Sequence, residues 1–350
     1  PQGEPCYSFS MTAVPRVHPI TFRPIFKEKV WGRRNLGRFG KVLPESGNIG
    51  ESWELADLAA TAPGGGGGDP ARSVIANGML AGSSLHEAMG KWGDRLMGKL
   101  PRSAAGGFPL LVKYLDAGEN LSVQVHHSPG YTAAHPEAHL KTESWYILDA
   151  EPGAVIYKGL KPGVDRQALA EAVERGRTED VLRTVPVEAG DCHDLPSGTV
   201  HALGAGVTLA EVQTPSDTTF RLYDWNDRYS HRPRRDLHVE QALECASLLP
   251  AEPATRLPEG EARARLVRND FYDLWDLRLT AGESAAHPDP GDACHVLMLL
   301  AGELAAGIER FVAGQTVLVP ASSLGAIRCE QDARVLAIGF TRADAPGPDR

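Results

Sequence analysis

The chain has 350 residues, 42% of them hydrophobic, enough to bury a substantial core and more than one. A formal net charge of −9 argues against a nucleic-acid surface, although a few local cations suffice for an anionic small ligand. No apolar run is long enough to cross a bilayer, and no secretory pattern opens the chain. Cys6, Cys192, Cys245, Cys294 and Cys329 are scattered and form no CxxC pair, which points to a reducing, cytoplasmic setting.

In chain order, the first ten residues precede Met11 and read as an added extension, within an extended or disordered N-terminus over 1–19. From Ile20 to about Ala60 short extended pieces alternate with turns, and Thr61 to Ser73 reads as a loop through its Gly64 to Gly68 run. Leu85, Met89, Trp92, Leu96 and Met97 recur near helical spacing, with Ser83 or Ser84 as the N-cap. The β-type runs "FPLLVKYLDA", "LSVQVHH", "ESWYILDA" and "AVIYKGL" follow. A second helical block is predicted over Arg166 to Thr184 before strands resume. "HVEQALECASLL" reads as a connecting helix, and short β-runs return from Leu266 to Phe340. Turn-punctuated strands at this density predict a mainly β fold of two jelly-roll barrels with helical insertions at about 70–100 and 165–185. The expected units are a catalytic one over 20–250 and a smaller one over 251–350.

The stretch "LSVQVH" carries the first chemical signal. On a strand, Ser122, Gln124 and His126 share one face while Val123 and Val125 pack the other way. Lys141, Glu143 and Trp145 repeat the pattern on the next strand. Such polar rows often simply face water. Further on, Gly190, Pro196, Gly198 and His201 match the second motif of the cupin superfamily, G-x5-P-x-G-x2-H, without a gap. Gly118, Gln124 and His126 resemble the first motif, with Gln in place of its first histidine; Glu143 is displaced by an insertion, and Ala205 replaces a terminal Asn. The shared logic is a metal in the barrel mouth, with Gln124, His126, Glu143 and His201 as candidate ligands. Nitrogen and oxygen donors without sulfur suit Zn²⁺, with Mn²⁺, Fe²⁺ or Co²⁺ as alternatives. His127, His135, His139 and His193 read as structural or exposed.

Five ordered blocks make the likeness specific: "PIFKEKVWGRRNLGRFG", "IGESWELAD", "FPLLVKYLDAGENLSVQVHH", "KTESWYILDAEPGAVIYKGL" and "AGDCHDLPSGTVHALGAGVTLAEVQTPSDTTFRLYDW". In order and spacing the chain resembles the type I mannose-6-phosphate isomerase family, strongly from Pro24 to Trp225 and weakly to Phe340. It departs at His127, where the family usually has Pro, and in the Gly64 to Gly68 loop. The resemblance implies a cupin enzyme that interconverts mannose 6-phosphate and fructose 6-phosphate through an enediol(ate). It implies Arg221 and Glu211 as active-site residues, and Lys113 and Ser122 as phosphate contacts. Lys141, on the face of Glu143, is placed to polarise a sugar oxygen. Arg221 otherwise ion pairs with Asp224 or Asp227, Lys113 otherwise reaches water at a rim, and Glu211 or Lys141 is otherwise a satisfied polar neighbour of the site. Arg228 aligns only loosely with the phosphate site. In the second barrel Gly325 stands where a metal histidine would, so that barrel is expected to be metal-free. The expected protein is a monomer or homodimer acting on a small sugar phosphate, without nucleic-acid or membrane partners. Rival readings are a bicupin dioxygenase, which Gln124 fits poorly, and a non-catalytic sugar-binding cupin.

Overall fold

The computed structural model describes residues 17–62, 67–135, 138–225, 228–323, 325 and 327–341. The expected N-terminal extension therefore lies almost wholly outside the described residues, as do Gly64 to Gly66 and Asp227. The rest is mainly β, and the named strand pairings are antiparallel.

Two sheets build the first half. One has six strands in the order Cys192–Leu195, Glu143–Ala150, Val207–Gln213, Leu111–Ala117, Ile25–Arg33, Ile49–Leu55. The other has five: Leu182–Pro186, Val155–Leu160, His201–Leu203, Val123–Val125 and Phe220–Tyr223. Strands of both contribute to one apolar cluster, in which Leu115, Ile147 and Leu209 meet Ile156 and Leu203. Alternation explains this: each strand sends every second side chain inward, and fully burying one such aliphatic side chain stabilises by roughly 1.5–3 kcal/mol.

A third sheet of eight strands forms the C-terminal half and encloses its own core around Leu297, Phe311, Val317 and Val335. It is extended by two strands from the start of the chain, Ile20–Arg23 and Val74–Ile75, the former paired with Thr316–Val319. A boundary at residue 250 thus does not sort the strands by sheet. Lys41 adds a charged clasp between the halves: its Nζ contacts Glu54 Oε2 at 2.5 Å and donates to the Gly314 carbonyl.

Helices form where the spacing predicts two of them, and one prediction needs correcting. Leu85–Trp92 is helical behind a Ser84–Glu87 capping box, with Leu85, Ala88, Met89 and Trp92 buried; Asp94–Met97 adds a further turn. Val239–Cys245 is the connecting helix. The block over Arg166 to Thr184 is not one helix. It ends at Glu174, a 3-10 turn follows at Thr178–Val181, and Leu182–Pro186 is already a strand. The break falls at Gly176, whose φ of +65° lies in the left-handed region that ends helices. The loop after His127 also holds a short helix, Pro129–Ala134, capped by the Ser128 side chain.

Candidate active site

Register brings the polar residues together. Val123–Val125 is flanked by His201–Leu203 and Phe220–Tyr223, so that Gln124 lies opposite His201 on one side and Arg221 on the other. Val123 and Val125 are fully buried behind it. On the six-stranded sheet a row of directly opposed residues crosses four strands: Trp145, Glu211, Lys113 and Trp53. Directly opposite residues share a face, so this row looks across at the first set. Gln124 and Arg221 from the first set line one cleft of about 770 Å³ together with the whole of this row.

His126, Glu143 and His201 form a buried cluster that meets the cleft at Glu143, each at most 2% exposed. His126 Nε2 lies 3.1 Å from Glu143 Oε2, His201 Nε2 lies 3.2 Å from Glu143 Oε1, and the three donor atoms fall within 4.8 Å of one another. The Thr199 carbonyl, 2.8 Å from His201 Nδ1, accepts that nitrogen's proton and leaves the Nε2 lone pair free. That Nε2 is buried and makes no hydrogen bond among the described residues. Burial, reinforced by the Lys141 charge, pushes His126 down to about 3, so its imidazole is neutral at neutral pH. Burial opposes ionisation of Glu143, but Lys141 and His126 outweigh it and hold the carboxyl well below its usual range. Two imidazoles and one carboxylate at this separation fit a divalent transition metal. Half-buried Gln124 lines the same cleft one strand from His201.

The other expected site residues surround this cluster. Lys141 lies two residues before its strand rather than on it, with Nζ 2.9 Å from Glu143 Oε2. Glu211 Oε2 pairs with Lys113 Nζ at 2.9 Å, and Glu211 Oε1 accepts the Trp145 Nε1–H at 3.1 Å. Burial pushes the Glu211 carboxyl up, with help from the Glu143 charge and against Lys113. Lys113 is raised as well, because Glu211 and Glu51 outweigh its burial. Ser122 is buried at the cleft wall. Arg221 Nη1 donates to the Asp236 carbonyl at 2.7 Å, and its Nε has no partner among the described residues. Burial and neighbouring Arg235 lower its pKa. Asp224, one expected partner, instead accepts from Arg235 Nε at 2.8 Å. Arg228 is not at the cleft; its Nη2 pairs with Glu179 at 3.2 Å. His193 is buried directly opposite Trp145 and is not part of the three-donor cluster, and His127 Nδ1 contacts the His139 carbonyl.

Several cleft residues escaped the sequence reading. Glu51 Oε1 pairs with Lys29 at 3.3 Å, Glu51 Oε2 lies 3.9 Å from Lys113, and the Trp53 indole donates to Glu51 at 2.7 Å. The available signal was period two in "GESWE", which puts Glu51 and Trp53 on one face. The segment 233–238 lines the cleft through consecutive residues, Pro233 to Asp236, and His238, so no alternation marks it.

Fold and site together define a metal-binding β-sheet enzyme with a charged, water-accessible cleft for a polar small molecule. Mannose-6-phosphate isomerase ManA of Bacillus subtilis (strain 168) is 39% identical over 227 residues, covering 65% of this chain and 67% of that protein. The mannose-6-phosphate isomerase of Streptococcus mutans serotype c is 31% identical over 301 residues, covering 84% and 89%. The crystal structure of mannose 6-phosphate isomerase from Bacillus subtilis matches with a TM-score of 0.75 at 27% identity, covering 91% of this chain and 99% of that one. No protein-family model matches the chain. On these relatives the chain belongs to the mannose-6-phosphate isomerase family. No helix among the described residues is long and apolar enough to cross a membrane.

Proposed function

We propose that the protein interconverts mannose 6-phosphate and fructose 6-phosphate with one Zn²⁺ held by Gln124, His126, Glu143 and His201, in the first of two cupin-type jelly-roll units. The observation that carries this reading is the His126–Glu143–His201 cluster, whose Glu143 lines one cleft with the Glu211–Lys113 pair. When bound, the metal supplies a Lewis-acid charge that polarises sugar oxygens.

The residues do the rest. Glu211 takes the C2 proton of the aldose; the C2–H electrons form the C1–C2 double bond, and the former carbonyl electrons collect on O1. Arg221, with a fixed charge, a free Nε and a place on the cleft wall, offsets that enediolate charge. Lys141 polarises a sugar oxygen and exchanges protons between O1 and O2. Glu211 then returns its proton to C1, which leaves the C2 carbonyl of the ketose. A carboxyl raised by burial suits such a carrier, because its pKa moves toward the working pH. Ser122 and Lys113 are assigned to the phosphate. Since Lys113 also pairs with Glu211, phosphate binding draws on the ammonium that sets the base's charge. Four buried free thiols, at Cys192, Cys245, Cys294 and Cys329, support a reducing cytoplasmic setting.

The test is metal analysis of purified protein paired with a coupled isomerase assay. Chelation is expected to abolish turnover of mannose 6-phosphate, and Zn²⁺ to restore it. A metal-replete protein without turnover would remove the catalytic reading, and one that consumed oxygen would replace it with a dioxygenase. Zinc retained in full by His201→Ala would remove the ligand assignment.

A further inference from the structure

We propose that Trp145 is a positioning residue of the isomerisation, whose one indole fixes both Glu211 and His201. The inference rests on Glu211 carrying the proton as proposed above. Trp145 is 1% exposed, lies two residues after Glu143 on the same strand face, and stands directly opposite Glu211 across the strand pair. Its Nε1–H donates to Glu211 Oε1 at 3.1 Å. The ring meets the His201 imidazole edge-on, with centroids 5.4 Å apart and planes at 81°.

Each contact closes a degree of freedom that the chemistry needs closed. A carboxylate rotates broadly about its last torsion. The Lys113 ammonium ion-pairs with Oε2 of Glu211 at 2.9 Å and the indole N–H donates to Oε1, so a charge on one oxygen and a donor on the other set the plane of the carboxylate. For His201, the Thr199 carbonyl holds Nδ1 and the indole bounds the ring, which directs Nε2 toward Glu143. The apolar cluster around Trp145 needs apolar volume, which a bicyclic ring without a donor, or in smaller measure phenylalanine, also supplies. What those side chains lack is the N–H, and its acceptor is the oxygen of Glu211.

Two variants separate the donor from the packing. Trp145→Phe keeps a ring against His201 and removes the N–H. Benzothienylalanine incorporated at position 145 removes the N–H and keeps the bicyclic shape, so poor folding of the phenylalanine variant does not decide the matter. Loss of a hydrogen bond to a charged group is expected to lower kcat about ten- to a hundredfold. KM for mannose 6-phosphate and zinc content should stay at wild-type values. The acidic limb of the kcat–pH profile should move up, because the carboxylate loses a donor that favours its charged form. Lys113, Glu143 and Lys141, the other charges that act on Glu211, are the same in both proteins. An unchanged kcat in the isosteric variant overturns the proposal. So does a fall in kcat accompanied by lost zinc and an unmoved pH profile, which is the mark of packing alone. Glu211→Gln, measured alongside, keeps the two readings apart. Wild-type turnover there removes Glu211 as proton carrier and this proposal with it. Lost turnover there, with an unaffected isosteric variant, removes only the role of Trp145.

Discussion

Arg221 and Ser122 line the same cleft, and the roles proposed for them set them against different kinds of charge. The phosphate carries its charge throughout the reaction, so a contact to it is shared by ground state and transition state. Charge on the enediolate appears only during the step. Arg221→Ala is therefore expected to raise the barrier by about 2.7–4 kcal/mol, read in kcat. Ser122→Ala should raise KM with little change in kcat, and is a cleaner probe than Lys113, whose ammonium also touches Glu211. Steady-state constants on metal-replete protein decide it; if Arg221→Ala moved KM alone, its assigned role would be wrong. Much of this site was legible as residue types at period two: Gln124 on the strand Val123–Val125 with Ser122 and His126 just beyond its ends, Glu143 and Trp145 on another. The partners were not. That Arg235 takes Asp224 and leaves Arg221 to the Asp236 carbonyl depends on a return of chain that no periodicity announces.

At the scale of elements, the Pro196–Gly198 turn shows how a short motif aims a functional side chain. Gly198 has φ of +89°, and a Cβ there would sit 2.8 Å from the Cys245 carbonyl oxygen. Its own carbonyl accepts from Ser247 N at 2.8 Å, and Thr199 N closes the turn on the Pro196 carbonyl at 3.0 Å. Two residues later the strand begins with His201. Gly198→Ala combines a left-handed backbone with a main-chain clash, and is expected to cost roughly 1–3 kcal/mol in urea unfolding. It should also reduce bound zinc, since the turn sets where His201 starts; a variant with unchanged midpoint and full zinc would show that the turn is slack. This element was readable because Pro and Gly write their backbone preferences into the sequence. Sheet order was not readable, because Ile20–Arg23 pairs with a strand almost three hundred residues away, Thr316–Val319, through hydrogen bonds that any apolar strand can make. The helix assigned up to Thr184 failed for a related reason: over a few residues, apolar spacing does not separate a helix end from a strand start.

For the whole molecule, the eight-stranded sheet braces the back of the catalytic strands. Tyr272 Oη donates to the Val212 carbonyl at 2.9 Å and lies 2.9 Å from Ser144 Oγ, while Tyr146 Oη donates to Asp276 at 2.8 Å. Ser144 and Val212 each adjoin a site residue, Glu143 and Glu211, so the brace and the cleft occupy opposite faces of the same strands. The bracing sheet contains His295, 0% exposed, with both ring nitrogens lacking partners among the described residues. Burial, with the nearby His287 charge, pushes it down from 6.5 to about 3. The unfolded chain therefore takes up this proton near its ordinary pKa, whereas the folded chain resists it until about pH 3. Stability contributed by neutral His295 is present above about pH 6.5 and declines progressively as pH falls through that window. His295→Phe removes the titration and is expected to show a smaller loss in urea midpoint between pH 7 and pH 5 than the wild type. Because the brace lies behind Glu143 and Glu211, wild-type turnover lost at pH 5 should include a part that tracks unfolding and is recovered in the variant. Equal midpoint losses in the two proteins would place the acid sensitivity elsewhere, with buried His193, pushed down to about 4, as the next group to replace.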